Sequence, residues 1–242
     1  MPTLELVSRD LRSLTLAGTT VDYVLVRRRG RRGVGFKVDA NGLTVNAPAT
    51  MPLARIESLV RESERWVLRK IVEWRSRRVP PVEWRDGTAL PYLGHDLVLR
   101  VAEGPRASIE RCEGVLRATL RSVAAEAVLR AVVAWYKRAA LSHFAARTFT
   151  LSRIAGVTPP RVMISPALSR WGSCNARREI RLAWRLVKAR SALIDYVICH
   201  ELAHLRHMNH SPAFWAEVER QCPGHARLRD ELFATDHLYR SF

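Results

Sequence analysis

The spacing of apolar positions changes several times along the chain. Between residues 21 and 47 apolar residues recur at every second position. Val21–Val26 and Val34–Val38 flank a basic cluster, and residues 39–42 read as a turn into Leu43–Val45. That pattern predicts a β-hairpin or meander. Over residues 52–78 the period becomes helical. Ile56, Leu59, Val60, Val67, Ile71 and Trp74 share one face, while Arg61, Arg65 and Arg69 form a stripe partly offset by Glu57, Glu62 and Glu64. Pro80–Pro81 ends this helix. Residues 82–120 return to strand-like alternation around Gly87, Gly94, Gly104–Pro105 and Gly114. Ser122 is expected to open a long helix to about Arg147, with Val128, Val132, Trp135 and Leu141 among its apolar positions. A strand at 161–165, the segment Arg170–Cys174, a turn at 175–178 and a strand over 179–187 follow, before Ser191 caps another helix. No internal repeat or low-complexity stretch is evident.

Composition narrows this picture. The chain has 242 residues, 48% of them hydrophobic, enough for one large domain or two small ones with a true core. No apolar run approaches the ~18 residues of a membrane span, and the start lacks the basic-then-apolar pattern of a signal peptide. A cytoplasmic enzyme without a membrane partner is expected. The four cysteines (Cys112, Cys174, Cys199, Cys222) stand far apart, so neither a zinc ribbon nor a disulfide framework is expected, and Cys199 reads as a small core residue. The formal net charge is +17, carried mostly by Arg and only mildly heavier over residues 1–78. Such a field attracts polyanions, and the run Arg28, Arg29, Arg31 and Arg32 is the candidate for phosphate contacts, including non-specific nucleic acid.

The most specific chemistry lies at His200-Glu201-Leu202-Ala203-His204, with further histidines at 207 and 210. On a helix, residues four apart lie on one face about one turn, ~5.4 Å, up the axis. The His200 and His204 imidazoles can therefore converge on one metal ion. Glu201, rotated by roughly 100°, need not bind it and can take a proton from a metal-bound water. A catalytic site needs a third protein ligand and an open position. His207 would stand ~10.5 Å up a continuous helix from His200. His210 can fold back if the helix ends first, and Asn209 suits a helix C-terminus while Ser211-Pro212 suits a new N-cap and first turn. His210 is thus the expected third ligand, with a carboxylate of the next helix, Glu217 or Glu219, as the rival.

Arg170-Trp-Gly-Ser-Cys174, the strand with Ile180, Leu182 and Trp184-Arg-Leu186, Ile194-Asp-Tyr-Val197, His200-Glu-Leu-Ala-His-Leu205 and Asn209-His-Ser211 with Phe214-Trp215 resemble the YgjP-like family of zinc metallopeptidases. The resemblance extends more weakly to Tyr23–Arg32 and the helix with Trp66 and Trp74, so that it spans roughly residues 21–240. It implies zinc held by His200, His204 and His210 with Glu201 catalytic. This sequence departs from the family pattern at Ala183, where Asn is usual, and in the 175–178 turn, which lacks the usual Gly. WLM and SprT-like proteases, which share the motif or its context, are associated with proteins crosslinked to DNA.

The expected fold is α+β: a zincin-like catalytic part with the metal-bearing helix beside a β-hairpin, preceded by a β-rich part with a long amphipathic helix. The expected division is 1–120 and 121–242, unless both form one continuous domain. The edge strand of the hairpin would align an extended peptide by strand addition, which makes Trp171, Gly172, Ser173 and Cys174 the substrate-side candidates. The expected activity is hydrolysis of peptide bonds with one zinc ion per chain. The rivals are a zinc-dependent nucleotide hydrolase holding phosphates with Arg clusters, a DNA-associated protease, and a basic nucleic-acid-binding protein with structural zinc. Glu201 counts against the last, because a closed structural site does not need it.

Overall fold

In the computed structural model, which describes residues 5–39, 41–76 and 79–242, the chain divides into two units, 1–78 and 79–242. In the first, β1 (Glu5–Leu16) and β2 (Thr19–Arg29) form an antiparallel hairpin. Its two-residue turn, Ala17-Gly18, has positive φ at both positions, which matches the twist of the flanking strands. β3 (Gly35–Asp39) and β4 (Gly42–Pro48) form a second hairpin. The predicted pairing of 21–26 with 34–38 does not form: β4 inserts between them, parallel to β2, so the order is β1-β2-β4-β3. Alternation marks a strand with one buried face but does not name its neighbour.

The predicted single helix over 52–78 is two, α1 (Leu53–Glu62) and α2 (Glu64–Ser76), broken at Ser63; residues 77 and 78 lie outside the described residues. Ile56, Val60 and Val67 are fully buried and join Leu16, Tyr23, Leu25 and Val45 in this unit's core, so the apolar face was correctly placed.

The second unit opens with four strands, β5 (Ala89–Tyr92), β6 (His95–Glu103), β7 (Ser108–Cys112) and β8 (Val115–Leu120), in the order β5-β6-β8-β7. This is the order of the first sheet again. Each sheet consists of two hairpins joined through parallel inner strands, with an X-Gly turn closing the first hairpin, and a helix follows. The fold therefore repeats a motif that the sequence does not display. The strands over 82–120 share one core with the metal-bearing helix, and residue 120 ends β8, which the long helix of the same unit follows. Leu93 and Gly94 donate backbone hydrogen bonds to Val187 and Lys188, tying this sheet to the segment before that helix. A Cβ at Gly94 would sit 2.8 Å from Cα of Arg190, so a side chain cannot be added there without displacing backbone.

The long helix, α3 (Ala125–Ala155), starts three residues after Ser122 and runs eight beyond Arg147, ending in a left-handed Gly156. Val128, Val132 and Trp135 are buried as expected, whereas Leu141 is exposed. Then β9 (Arg161–Ser165), β10 (Gly172–Cys174) and β11 (Glu179–Ala183) form a sheet of order β10-β11-β9. The expected strand over 179–187 stops at 183, and residues 184–188 form a 3-10 turn that buries Trp184, Leu186 and Val187. Helices α4 (Ser191–Ala203), α5 (Pro212–Gln221) and α6 (His225–Tyr239) complete a mixed α+β architecture of three sheets and six helices among the described residues. Ser191 is the first residue of α4 rather than its cap; Arg190 precedes it and no side chain caps the end. Arg147 grips Asp195 with two hydrogen bonds of 2.9 and 2.7 Å, fixing α4 against α3.

Candidate metal centre

Helix α4 is buried along most of its length and delivers His200 and His204 in its last turn. It stops sooner than the sequence implied. His204 is already the C-cap, and Asn209 keeps an ordinary negative φ instead of serving as a left-handed terminator. The stop comes from tertiary contacts of Arg206. Its guanidinium donates to the carbonyls of Ala155 and Gly156 at the end of α3, at 2.9 and 3.2 Å, and lies 3.6 Å from Glu217. The loop so anchored returns toward α4. Ser211 then caps α5, accepting from the Phe214 N–H at 3.4 Å with Pro212 in the first turn, as predicted.

The loop brings His210 back to His200, with the two Nε2 atoms 3.2 Å apart. His200, His204 and His210 each present a ring nitrogen within 4.8 Å of the others. Two ligands ~2.0 Å from a tetrahedral ion lie roughly 3.3 Å apart, so this spacing suits one cation. Nδ1 of His204 lies 3.1 Å from the His207 carbonyl, which fixes a proton there and leaves Nε2 with its lone pair outward. His207 thus supports the site through its backbone. Burial, then the neighbouring imidazoles, push His200 down to about 4, so it is neutral and able to donate electrons; burial lowers His204 as well. Phe214, fully buried, forms the floor, its ring centre 4.9, 4.5 and 4.7 Å from those of His200, His204 and His210.

Glu201 is buried, and its Oε2 has no hydrogen-bond partner among the described residues; Nδ1 of His200 is likewise unpartnered. Burial pushes the Glu201 carboxyl up to about 8, opposed by the charge of Arg170. A buried carboxylate oxygen without a partner is costly unless a proton or ligand meets it. Three converging imidazoles beside such a carboxyl group fit a metal ion with a bound water, and the described residues add no fourth protein ligand to the cluster.

Both rival ligands are committed elsewhere. Glu217 accepts from Arg220 at 2.7 and 3.1 Å and from Gln221 at 2.8 Å; Glu219 accepts from the Gly224 N–H at 3.0 Å and faces His225 Nδ1 at 2.7 Å. Arg220 first, then Gln221 and Arg206, hold the Glu217 carboxyl at about 2 instead of its ordinary 4.5. A carboxyl lowered in the folded state adds stability above its ordinary value and loses it as pH falls. We therefore expect the metal-free protein to lose thermal stability from Glu217 between pH 4.5 and about 2, and Glu217→Gln to flatten that slope. Melting curves of both forms across that range check it; equal slopes would refute it.

The substrate-side candidates line two adjoining cavities. Trp171 and Gly172 share one of about 480 Å³ with Glu201 and His200, and with Ser173 they also line one of about 200 Å³. Strand β10 is the free edge of its sheet and packs on α4. Gly172 allows that approach, since a Cβ there would lie 2.8 Å from both Cγ and Cδ of Glu201. Cys174 is half-buried and lines neither cavity; burial and the Glu201 carboxylate raise its thiol. Cys199 is buried, as predicted.

The Arg27–Arg32 run lies in the first unit. Arg27 is consumed by the carbonyls of Ala49 and Met51, at 3.0 and 2.6 Å, and Arg31 donates to Gly33 at 2.6 Å. Arg29 pairs with Glu5 while remaining largely exposed, and Arg32 is exposed; Arg28 is half-buried near the end of β2. Sequence reasoning missed the Phe214 floor as such, the Arg206 anchor and the contribution of α6 to the cavity wall. Only Phe214 carried a signal, its place beside Trp215 after Ser211.

A family model described as YgjP-like, metallopeptidase domain, matches residues 32–235. Among solved structures, the chain is similar to the metallopeptidase zymogen abylysin of Pyrococcus abyssi. The two are 26% identical over 41% of this chain and 98% of that one, with a TM-score of 0.36. No curated protein matches the chain.

Proposed function

The chain belongs to the YgjP-like metallopeptidase family, and from that premise we propose that it is a zinc peptidase using His200, His204 and His210 as ligands and Glu201 as general base. The observation that carries this reading is the buried, unpartnered Glu201 Oε2 beside three converging imidazoles. Zinc held there would polarise a water and the scissile carbonyl and leave one position open, as in zincin-like sites. Glu201 accepts the proton of the attacking water and delivers it to the leaving nitrogen. Its burial suits both halves of that task by bringing its proton affinity toward neutral pH. The free edge of β10 beside α4 suits an extended peptide backbone, which would add as a further strand and run past Trp171 and Gly172. Phe214 keeps the far side of the imidazoles dry, so charge developing near Glu201 is weakly screened.

The test is hydrolysis of an unfolded protein such as casein before and after metal removal by chelation. Activity lost on chelation and restored by about one equivalent of zinc is expected; no cleavage by the zinc-loaded protein would overturn the reading. Nucleoside triphosphates assayed in parallel decide against the nucleotide rival if they stay intact.

The net charge of +17 supports a separate expectation. At ~50 mM salt the protein should bind duplex DNA without sequence preference, and affinity should fall steeply with salt as counterions are released. Charge reversal at the exposed Arg29 and Arg32 should reduce the salt slope, read by fluorescence anisotropy. Absence of binding at low salt would leave the charge without a polyanion role.

A further inference from the structure

We propose that the cavity beside Glu201 receives a carboxylate carried by the peptide substrate, with Arg170 as its charge partner; this rests on the peptidase reading above. The cavity lies between the approach to β10, helix α4 and helix α6. Its volume of about 480 Å³ falls in the range of ordinary ligand pockets. Trp171, Tyr196 and Leu232 supply apolar wall, which would hold the aliphatic part of a side chain.

The charges of the lining are unbalanced. Arg170, Arg229 and Arg240 line the cavity together with Asp236 and the buried Glu201 carboxyl. Arg240 is partly committed: its Nε lies 2.8 Å from Asp236 and its guanidinium stacks on Trp171 at 4.6 Å, while its buried Nη1 has no hydrogen-bond partner among the described residues. Arg229 pairs with Asp230 at 3.1 Å. Among the described residues no hydrogen bond or ion pair holds the Arg170 side chain, whose described interaction is with Glu201 through space. Arg170 also borders the neighbouring cavity of about 200 Å³, so it stands where the two meet, two residues before the edge strand begins at Gly172. A guanidinium offers a planar fork of donors that matches a carboxylate in two hydrogen bonds. Arg170 is exposed, so a neutral occupant leaves its guanidinium hydrated and the pair sets a modest preference for a carboxylate. The carboxylate could be the side chain of an Asp or Glu near the scissile bond, or the free C-terminus of the peptide.

Binding separates these sources without turnover. The zinc-loaded Glu201→Gln protein is titrated with one labelled peptide carrying Glu, Gln or Lys near its centre, each with a free or amidated C-terminus. A roughly 2- to 5-fold tighter Kd is expected for peptides bearing the recognised carboxylate, the size of a solvent-exposed ion pair. The Glu arm or the free-terminus arm will show the preference, according to the source. Adding Arg170→Ala should abolish it, and Arg170→Glu should turn it toward Lys. Equal affinities, or a preference that survives Arg170→Ala, would overturn the inference. Wild-type hydrolysis of the same peptides is scored separately. Cleavage without any carboxylate preference sinks this pocket while leaving the peptidase reading intact; no cleavage of any peptide sinks the peptidase reading and the substrate role with it.

Discussion

Replacing Glu201 by Gln is expected to leave the metal in place and lower peptide turnover by ~10²–10⁴-fold, the usual contribution of a positioned general base. The side chain is buried beneath β10, where Gly172 leaves no room for a larger group, so Gln of nearly equal volume fits without a cavity. What changes is the group offered by the unpartnered Oε2, an acceptor of protons that an amide cannot replace. The removal of a buried carboxyl also relieves an unfavourable burial, so the variant should melt no lower than the parent. Zinc content by elemental analysis, a melting curve and a cleavage assay on one preparation decide the matter. Turnover within a few-fold of the parent would show that the proton goes elsewhere.

The second large effect concerns metal affinity. His210→Ala should weaken zinc binding by more than ~100-fold, exceeding the 10- to 100-fold cost typical of removing a supporting group around a metal. His207→Ala should cost far less, because His207 reaches the site through its carbonyl, which Ala retains. The difference follows from geometry: His210 Nε2 stands 3.2 Å from His200 Nε2, and without it two imidazoles of one helix turn face an ion that prefers at least three protein ligands in a catalytic site. Competition titration against a chromophoric chelator reads both variants without requiring activity. The reverse ranking would remove His210 from the ligand set.

Arg206 bears on the same result. It joins the loop between His204 and His210 to the end of α3 and to Glu217, and Glu217 in turn is held by Arg220. His210 therefore reaches the cluster on a loop braced at its middle and capped at its end by Ser211. A carboxylate that looked like a rival ligand in the sequence is instead part of this brace, and its commitment to two guanidiniums explains why it is not offered to a metal.

Local rules carried the reading of the sequence a long way. His200, Glu201 and His204 were legible because helical spacing alone fixes their relative positions, and His210 because Ser211-Pro212 announces a new helix just after it. The apolar face of residues 53–76, the strand at 161–165 and the β10–β11 hairpin were legible for the same reason: each rests on a period or turn written into a few neighbouring residues. Pairing and termination were not. That β4 lies between β2 and β3, that the same strand order recurs in the second sheet, and that α3 runs on to Ala155 all depend on partners distant in sequence. The early end of α4 depends on Arg206 reaching the carbonyls of Ala155 and Gly156, about fifty residues earlier. The cavity beside Glu201 depends on α6, which no motif near the histidines mentions. Sequence by itself determined which histidines could cluster and that Glu201 lies beside them, since identity and short-range spacing are local properties. Tertiary structure decided what surrounds them, because burial, unpartnered atoms and uncompensated charge arise only where separate elements meet.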